Sequence, residues 1–241
     1  IASVILPTWN SAPILWLQLE SMCRQITDHR WELIVIEDPS DNYAGRDYVM
    51  QYAQRIERAN GDLRYIELSK KNSLGAKWKM GAELANGIYY LLAASDNYSA
   101  PNRIEKSVEA LQGCDWFDVR TGTFYDISSN REAEWYCYDT SKTALFMATK
   151  THLMRQLPDN APGKYIDGWI RQNIGVMKRG SIEWMDGLHT DGLNNISFHR
   201  RNMYENHPRF RKVQTRVAKI LPESVYLDLM RESWKLQNGR G

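Results

Sequence analysis

The stretch Gly87-Ile88-Tyr89-Tyr90-Leu91-Leu92-Ala93-Ala94-Ser95-Asp96-Asn97 constrains the fold more than any other part of the chain. Its apolar run is unbroken from 88 to 94 and stops at three polar residues. A strand with one wet face alternates; a strand covered on both faces does not, because neither row of side chains meets water. The run therefore predicts a buried strand of a parallel sheet that delivers Ser95, Asp96 and Asn97 at its carboxyl end. Ligands of open parallel sheets bind outside that end. A carboxylate placed there can hold a divalent cation, and the cation can hold a diphosphate. The plainer duty of an Asp after a strand is to cap the next turn or helix.

Three strand–helix units precede this strand. Ala2-Ser3-Val4-Ile5-Leu6 predicts a short buried strand closed by Pro7-Thr8-Trp9-Asn10. A helix follows from Ser11, with Pro13 in its first turn and Leu15, Leu19, Met22 and Ile26 as its apolar stripe. Trp31-Glu32-Leu33-Ile34-Val35-Ile36 is the second strand and ends at Glu37-Asp38-Pro39-Ser40. A helix over 43–60 turns Val49, Tyr52, Ala53 and Ile56 inward and is stopped by Gly61. Leu63-Arg64-Tyr65-Ile66-Glu67-Leu68 alternates, as an edge strand does, and a helix over 73–86 ends at Gly87. This alternation builds a mostly parallel sheet with right-handed crossovers and helices on both faces. Thr8-Trp9-Asn10, Glu37-Asp38 and Ser95-Asp96-Asn97 then share one rim. Neither a GxGxxG nor a GxxxxGK[ST] loop follows the first strand, so a diphosphate held here would need a metal.

After Pro101 a helix carries Ile104, Val108 and Leu111 and ends at Gly113. The texture then changes to short, aromatic, β-like pieces over 116–148, a short helix over 151–157 and a loop leading into Tyr165-Ile166-Asp167-Gly168-Trp169-Ile170. No repeat or low-complexity linker intervenes, so the second half elaborates the same sheet. Residues 199–219 hold five Arg and two Lys against one Glu, and a last helix from Leu221-Pro222-Glu223 puts Val225, Leu229 and Trp234 on one face. The net charge is only +2, which excludes a global attraction to nucleic acid or anionic membrane; any basic patch is local. Cys23, Cys114 and Cys137 are scattered without CxxC spacing, so neither a disulfide framework nor a zinc site is indicated. The longest apolar run falls well short of the ~20 residues a membrane-spanning helix needs. With no charged, apolar leader in view, the expectation is a cytoplasmic protein, soluble or peripheral at the inner face of a membrane. Nine Trp and thirteen Tyr against five Phe supply flat faces for sugars and bases as well as for packing.

Four segments now combine. Val4-Ile5-Leu6-Pro7-Thr8-Trp9-Asn10 is similar to a V-I-I-P-T-Y-N opening, and Glu32-Leu33-Ile34-Val35-Ile36-Glu37-Asp38-Pro39-Ser40 to E-I-I-V-V-D-D-G-S. Leu74-Gly75-Ala76-Lys77-Trp78-Lys79 is similar to I-G-A-K-R-N, with Trp78 and Lys79 where Arg and Asn are usual. Ser95-Asp96-Asn97 matches D-A-D-D with Ala94 in place of its first Asp. In this order and spacing the chain resembles the family 2 glycosyltransferases. Tyr165-Ile166-Asp167 resembles the E-D pair of their acceptor half, with Ile166 replacing Glu, and His189 with Asn195-Ile196-Ser197 resembles their H-x-x-N-x-S loop.

The resemblance implies a GT-A (Rossmann-like) fold in a single domain over 1–198. Within it, 1–100 form the nucleotide-sugar-binding half and 101–198 a smaller, β-rich acceptor half, and 199–241 form a basic C-terminal helical extension. It implies a UDP-sugar donor and inversion at the anomeric carbon. Pro7, Thr8, Trp9, Asn10, Asp38, Lys77, Ser95, Asp96 and Asn97 are the donor-binding candidates. Asp38 is expected to accept the uracil N3–H, Trp9 to stack on the base and Lys77 to neutralise diphosphate. Asp96 and His189 are the candidate ligands of Mn2+ or Mg2+. Asp167 is the candidate general base for the attacking hydroxyl, with Asp186 and Asp191 as rivals. Each has a plainer reading: a turn Asp before Pro39, a core Trp, a loop His, a helix cap.

Two functions follow: an inverting, hexosyltransferase-type enzyme, or a catalytically silent relative that binds a nucleotide sugar or glycan, which Ala94 favours. A nucleotidyltransferase would want a Gly-rich basic loop where Pro7-Thr8-Trp9-Asn10 stands. The acceptor is a glycan or lipid-linked glycan, or a hydroxymethylated nucleic-acid base. The basic stretch with Arg200, Arg201, Arg209, Arg211, Lys212, Arg216 and Lys219 is a solvated helix face, a grip on nucleic-acid phosphates or a contact with anionic lipid.

Overall fold

The computed structural model of the chain describes residues 1–119, 121–126, 131–136, 145–163, 166–173, 196–199, 210–212 and 221–238. Strands β1 (Ala2–Thr8), β2 (Trp31–Glu37), β3 (Gly61–Glu67) and β4 (Tyr89–Leu92) are parallel and lie in the order β3-β2-β1-β4. Two antiparallel strands, β9 (Leu145–Lys150) and then β6 (Trp116–Val119), continue the sheet beyond β4. Successive residues of β1 go to opposite layers, which is why its apolar run has no polar gap. Val4 and Leu6 share a core with α1 (Ala12–Cys23), α2 (Arg46–Met50), α3 (Ala53–Arg58) and α5 (Arg103–Gly113). Ile5 shares another with α4 (Leu74–Leu84), α6 (Thr151–Met154) and α7 (Ile166–Asn173). Each aliphatic side chain buried this way contributes about 1.5–3 kcal/mol. Pro7 is tolerated inside β1 because β4 has already left the sheet, its last partnership being Leu92 with Ile5.

A second sheet takes the order β11-β8-β7-β10-β5, from β11 (Phe210–Lys212), β8 (Arg131–Tyr136), β7 (Thr121–Asp126), β10 (Ile196–His199) and β5 (Asn97–Tyr98). Part of the basic stretch, Phe210-Arg211-Lys212, is therefore a strand paired with β8 and not a helix face. The last helix, α8 (Glu223–Asn238), buries Val225 and Leu229 against Leu17 of α1 and Tyr98 of β5. Among the described residues no helix is long and apolar enough to cross a membrane.

Four expectations are corrected. Ile26 is 72% exposed because α1 ends at Cys23, so the apolar stripe stops at Met22. The helix over 43–60 is two short ones, α2 and α3, separated at Gln51-Tyr52. Gly61 is no helix stop: Asn60 takes the left-handed φ of 66°, and Gly61 opens β3. A side chain at 61 has no room, since a Cβ there would lie 2.5 Å from the Trp31 ring. Trp234 is 66% exposed and does not share the buried face of Val225 and Leu229.

At the amino end of the sheet, buried Glu32 accepts from Ser3 Oγ at 2.6 Å, the Asn86 amide at 2.6 Å, Asn86 Nδ2 at 3.1 Å and Arg64 at 3.2 Å. Burial alone would raise its pKa, but the bonds from Ser3, Asn86 and Arg64 outweigh it and hold the carboxyl below the ordinary value. A depressed folded-state pKa stabilises above the unfolded value and is lost as pH falls toward the folded one. Glu32→Gln is thus expected to cost about 2 kcal/mol at neutral pH. The gap between variant and parent should narrow as pH drops below about 4.5, as urea unfolding at two pH values would show. A gap that widens in acid would contradict the assignment.

Candidate active site

The carboxyl ends of β1, β2 and β3 are in register, with Thr8 beside Glu37 and Glu37 beside Glu67, and β4 ends alongside β1. The chain leaves the sheet at this rim in four loops, and hydrogen bonds tie them together. The Thr8 carbonyl accepts the Asp38 amide at 3.1 Å and Lys77 Nζ at 3.0 Å. Lys77 Nζ also bonds Asp38 Oδ2 at 2.6 Å. Asp38 Oδ1 takes the Asn72 amide at 3.0 Å, with Asn72 Nδ2 at 3.5 Å. Asp38 is fully buried and Lys77 is 4% exposed. In this conformation the charge expected to meet a diphosphate is spent on Asp38. A buried ammonium must find its partners within the protein, and the nearest are a carboxylate and a strand-end carbonyl.

The two carboxylates that end β2 do different things. Glu37 is buried and straps the following loop, accepting from the Ala44 amide at 2.9 Å, the Gly45 amide at 3.0 Å and Tyr65 Oη at 2.8 Å. Burial first, then the bonds with Tyr43 and Glu37, push the Tyr65 phenol well above its usual pKa. Asp38 alone belongs to the rim network.

Trp9 follows β1 and is 47% exposed, so it is a surface platform and not a core residue. Asn10 takes a left-handed φ of 56°, a conformation Asn tolerates. Its amide donates to Ser40 Oγ at 3.1 Å and its Oδ1 accepts from Asn42 Nδ2 at 2.8 Å, which fixes the 40–42 loop beside Trp9. Ser11 Oγ lies 2.8 Å from Ser95 Oγ, joining the loop after β1 to the loop after β4. Asp96 is half-buried in that second loop. Asn97 closes it with a bond from its amide to the Ala94 carbonyl at 3.2 Å. The Asn97 Oδ1 and Thr8 Oγ1 atoms are buried with no hydrogen-bond partner among the described residues. Beneath the loop, Arg103 donates to Ser99 Oγ at 2.8 Å and to the Leu92 carbonyl. Burial pushes its guanidinium down to about 10.

Asp167 lies in the first turn of α7, whose Ile166 and Ile170 are anchored in the core that holds Ile36 and Trp78. The loop before it is packed on the start of α4. Ser73, which caps α4 by accepting the Ala76 amide at 3.0 Å, also donates to the Ala161 carbonyl at 3.0 Å. Gly75 has no room for a side chain, because a Cβ would stand 2.7 Å from both Ala161 Cβ and the Pro162 carbonyl. The helix that brings in Lys77 thus also positions the approach to Asp167. His189, Asp186 and Asp191 lie outside the described residues. Among the described residues no three His, Cys, Asp or Glu side chains cluster as a metal site.

Sequence reasoning missed the end of β3. The loop 68–72 supplies Asn72 to Asp38, and Lys71 Nζ lies 3.3 Å from the centroid of the Trp9 ring. The signal was available: β3 belongs to the same parallel set, so its carboxyl end meets the same rim.

A parallel sheet with a polar rim of this kind, extended by antiparallel strands, is the architecture of the GT-A glycosyltransferases. The chain matches the glycosyl transferase family 2 model over residues 3–173 and belongs to that family. No curated protein matches the chain in sequence. Among solved structures, S. aureus TarS superposes with a TM-score of 0.54 at 14% identity, covering 98% of this chain and 39% of that one. TarS 1-349 in complex with UDP gives 0.52 at 16% identity, covering 97% and 64%. The mannosyltransferase PcManGT from Pyrobaculum calidifontis, in complex with GDP-Man and Mn2+, gives 0.56 at 14% identity, covering 85% and 58%. The chain therefore spans less than two thirds of the length of these relatives. At such identities the likeness is one of fold.

Proposed function

We propose that the chain is an inverting glycosyltransferase that moves a hexosyl group from a UDP-sugar to an acceptor hydroxyl. The observation that carries this is the convergence of Trp9, Asp38 with Asn72 and Lys77, and the Ser95–Ser11 contact on one rim. Trp9 offers the stacking face for the base. Asp38 accepts the uracil N3–H through Oδ1 as the long Asn72 Nδ2 contact, at 3.5 Å, gives way. Lys77 holds that carboxylate in place, a positioning duty. Fold relatives were solved with UDP and with GDP-Man, so the preference for uracil rests on Asp38.

Asp96 supplies one hard oxygen donor, and the neighbouring Asn97 amide oxygen lacks a partner among the described residues. Mg2+ and Mn2+ accept few protein ligands when phosphate and water complete the shell, so this donor set fits them. Asp96, with His189 as a second ligand, would hold the ion, which supplies positive charge to the departing diphosphate. Asp167 accepts the proton of the attacking hydroxyl, and displacement from the face opposite the diphosphate inverts the anomeric carbon. The acceptor is assigned to a glycan or lipid-linked glycan, with a nucleic-acid base as the second choice through the basic 199–219 stretch. The division into a donor half, an acceptor half and a C-terminal extension belongs to the same proposal.

A donor-by-metal screen tests it. UDP-sugar binding and UDP release are expected with Mn2+ or Mg2+, and the metal dependence should disappear in Asp96→Ala. Tight binding without UDP release, with any acceptor glycan offered, would favour the silent relative that Ala94 suggests. GDP-sugar bound in preference to UDP-sugar would remove the role given to Asp38.

A further inference from the structure

Lys71 belongs to none of the family segments, yet its ammonium sits on the Trp9 ring, 3.3 Å from the centroid. The backbone beside it is staked down. The Asn72 amide bonds Asp38 at 3.0 Å, and Asn72 Nδ2 donates to the Lys70 carbonyl at 2.6 Å. Lys71 itself is exposed, on a four-carbon stem that lets the ammonium reach beyond the ring. The charge therefore rests on a platform whose face a nucleobase would need. A cation on an exposed indole is held weakly. A charge-assisted bond to phosphate oxygen is stronger.

We propose, building on the donor-binding reading above, that Lys71 is a donor-binding residue: its ammonium leaves the Trp9 face for the donor's diphosphate as the base takes that face. Lys77, buried against Asp38, leaves this role open to an exposed cation. The exchange separates the two halves of the nucleotide. The base alone gains nothing from Lys71 and must displace it, whereas the diphosphate gains a counter-charge.

Titrating the parent chain, Lys71→Met and Lys71→Arg with UDP, uridine, GDP and guanosine by calorimetry tests this. Lys71→Met is expected to weaken the preferred nucleoside diphosphate about tenfold. The matching nucleoside should bind equally well or a few-fold tighter, since no cation has to be moved off the ring. Lys71→Arg, which keeps the charge, should retain diphosphate binding within about threefold. Unchanged diphosphate binding in Lys71→Met overturns the inference. So does an equal loss for nucleoside and diphosphate, which would make Lys71 a prop for Trp9. A parent chain that binds none of the four ligands overturns the donor reading itself, and this inference with it.

Discussion

Asp167→Asn is expected to lower sugar transfer by about 10²–10⁴-fold while donor binding stays within about twofold of the parent. The substitution preserves shape and removes only the ability to take a proton. In a single displacement the acceptor oxygen becomes nucleophilic as its proton leaves, so the loss falls on kcat and not on the nucleotide end of the site. The first turn of α7 is a firm mount for such a group, because Ile166 and Ile170 are sunk in the core beneath it. The measurement is turnover with a panel of acceptor glycans, alongside UDP-sugar binding. Turnover within threefold of the parent would transfer the role to Asp186 or Asp191. Parallel loss of turnover and donor binding would make Asp167 structural.

Asp38→Ala is expected to have the largest effect on stability, about 3–5 kcal/mol, because it strands the Lys77 ammonium in the protein interior. For a chain of this length that lowers Tm by roughly 10 °C or more. The pair differs from the exposed ion pairs, such as Arg231 with Asp228, whose removal costs little. Adding Lys77→Met to Asp38→Ala should recover much of the lost stability, since no unpaired charge is then buried, while nucleotide binding stays lost in both. A thermal melt of the parent, the single and the double variants separates these cases. A double variant less stable than Asp38→Ala would mean that Lys77 packs more than it pairs.

Much of the first sheet was legible because its strands are buried on both faces: Val4-Ile5-Leu6, Leu33-Ile34-Val35-Ile36 and Tyr90-Leu91-Leu92 admit little else. The helix from Ser73 was legible from its apolar spacing and its stop at Gly87, but the cap that Ser73 makes by accepting the Ala76 amide was not read from it. What else escaped notice depends on partners distant in sequence. Gly61 looks like a helix stop until the Trp31 ring is seen to occupy its side-chain space. Lys77 matches a motif, but its burial against Asp38 follows from how α4 lies across β1 and β2. Lys71 has no motif at all and acquires meaning only beside Trp9. The exposure of Ile26 and Trp234 reflects where helices end and which turn of a helix has a neighbour, and apolar periodicity does not report either.

Tyr98 has one further consequence. It follows directly on the Asp96-Asn97 turn, and α8, through Val225 and Leu229 with Leu221 just ahead of it, packs against it. The helix Glu223–Asn238 is therefore a buttress under the segment proposed to hold the departing nucleotide. Removing that helix, or fusing a bulky partner close to it, is expected to loosen the proposed donor site from behind.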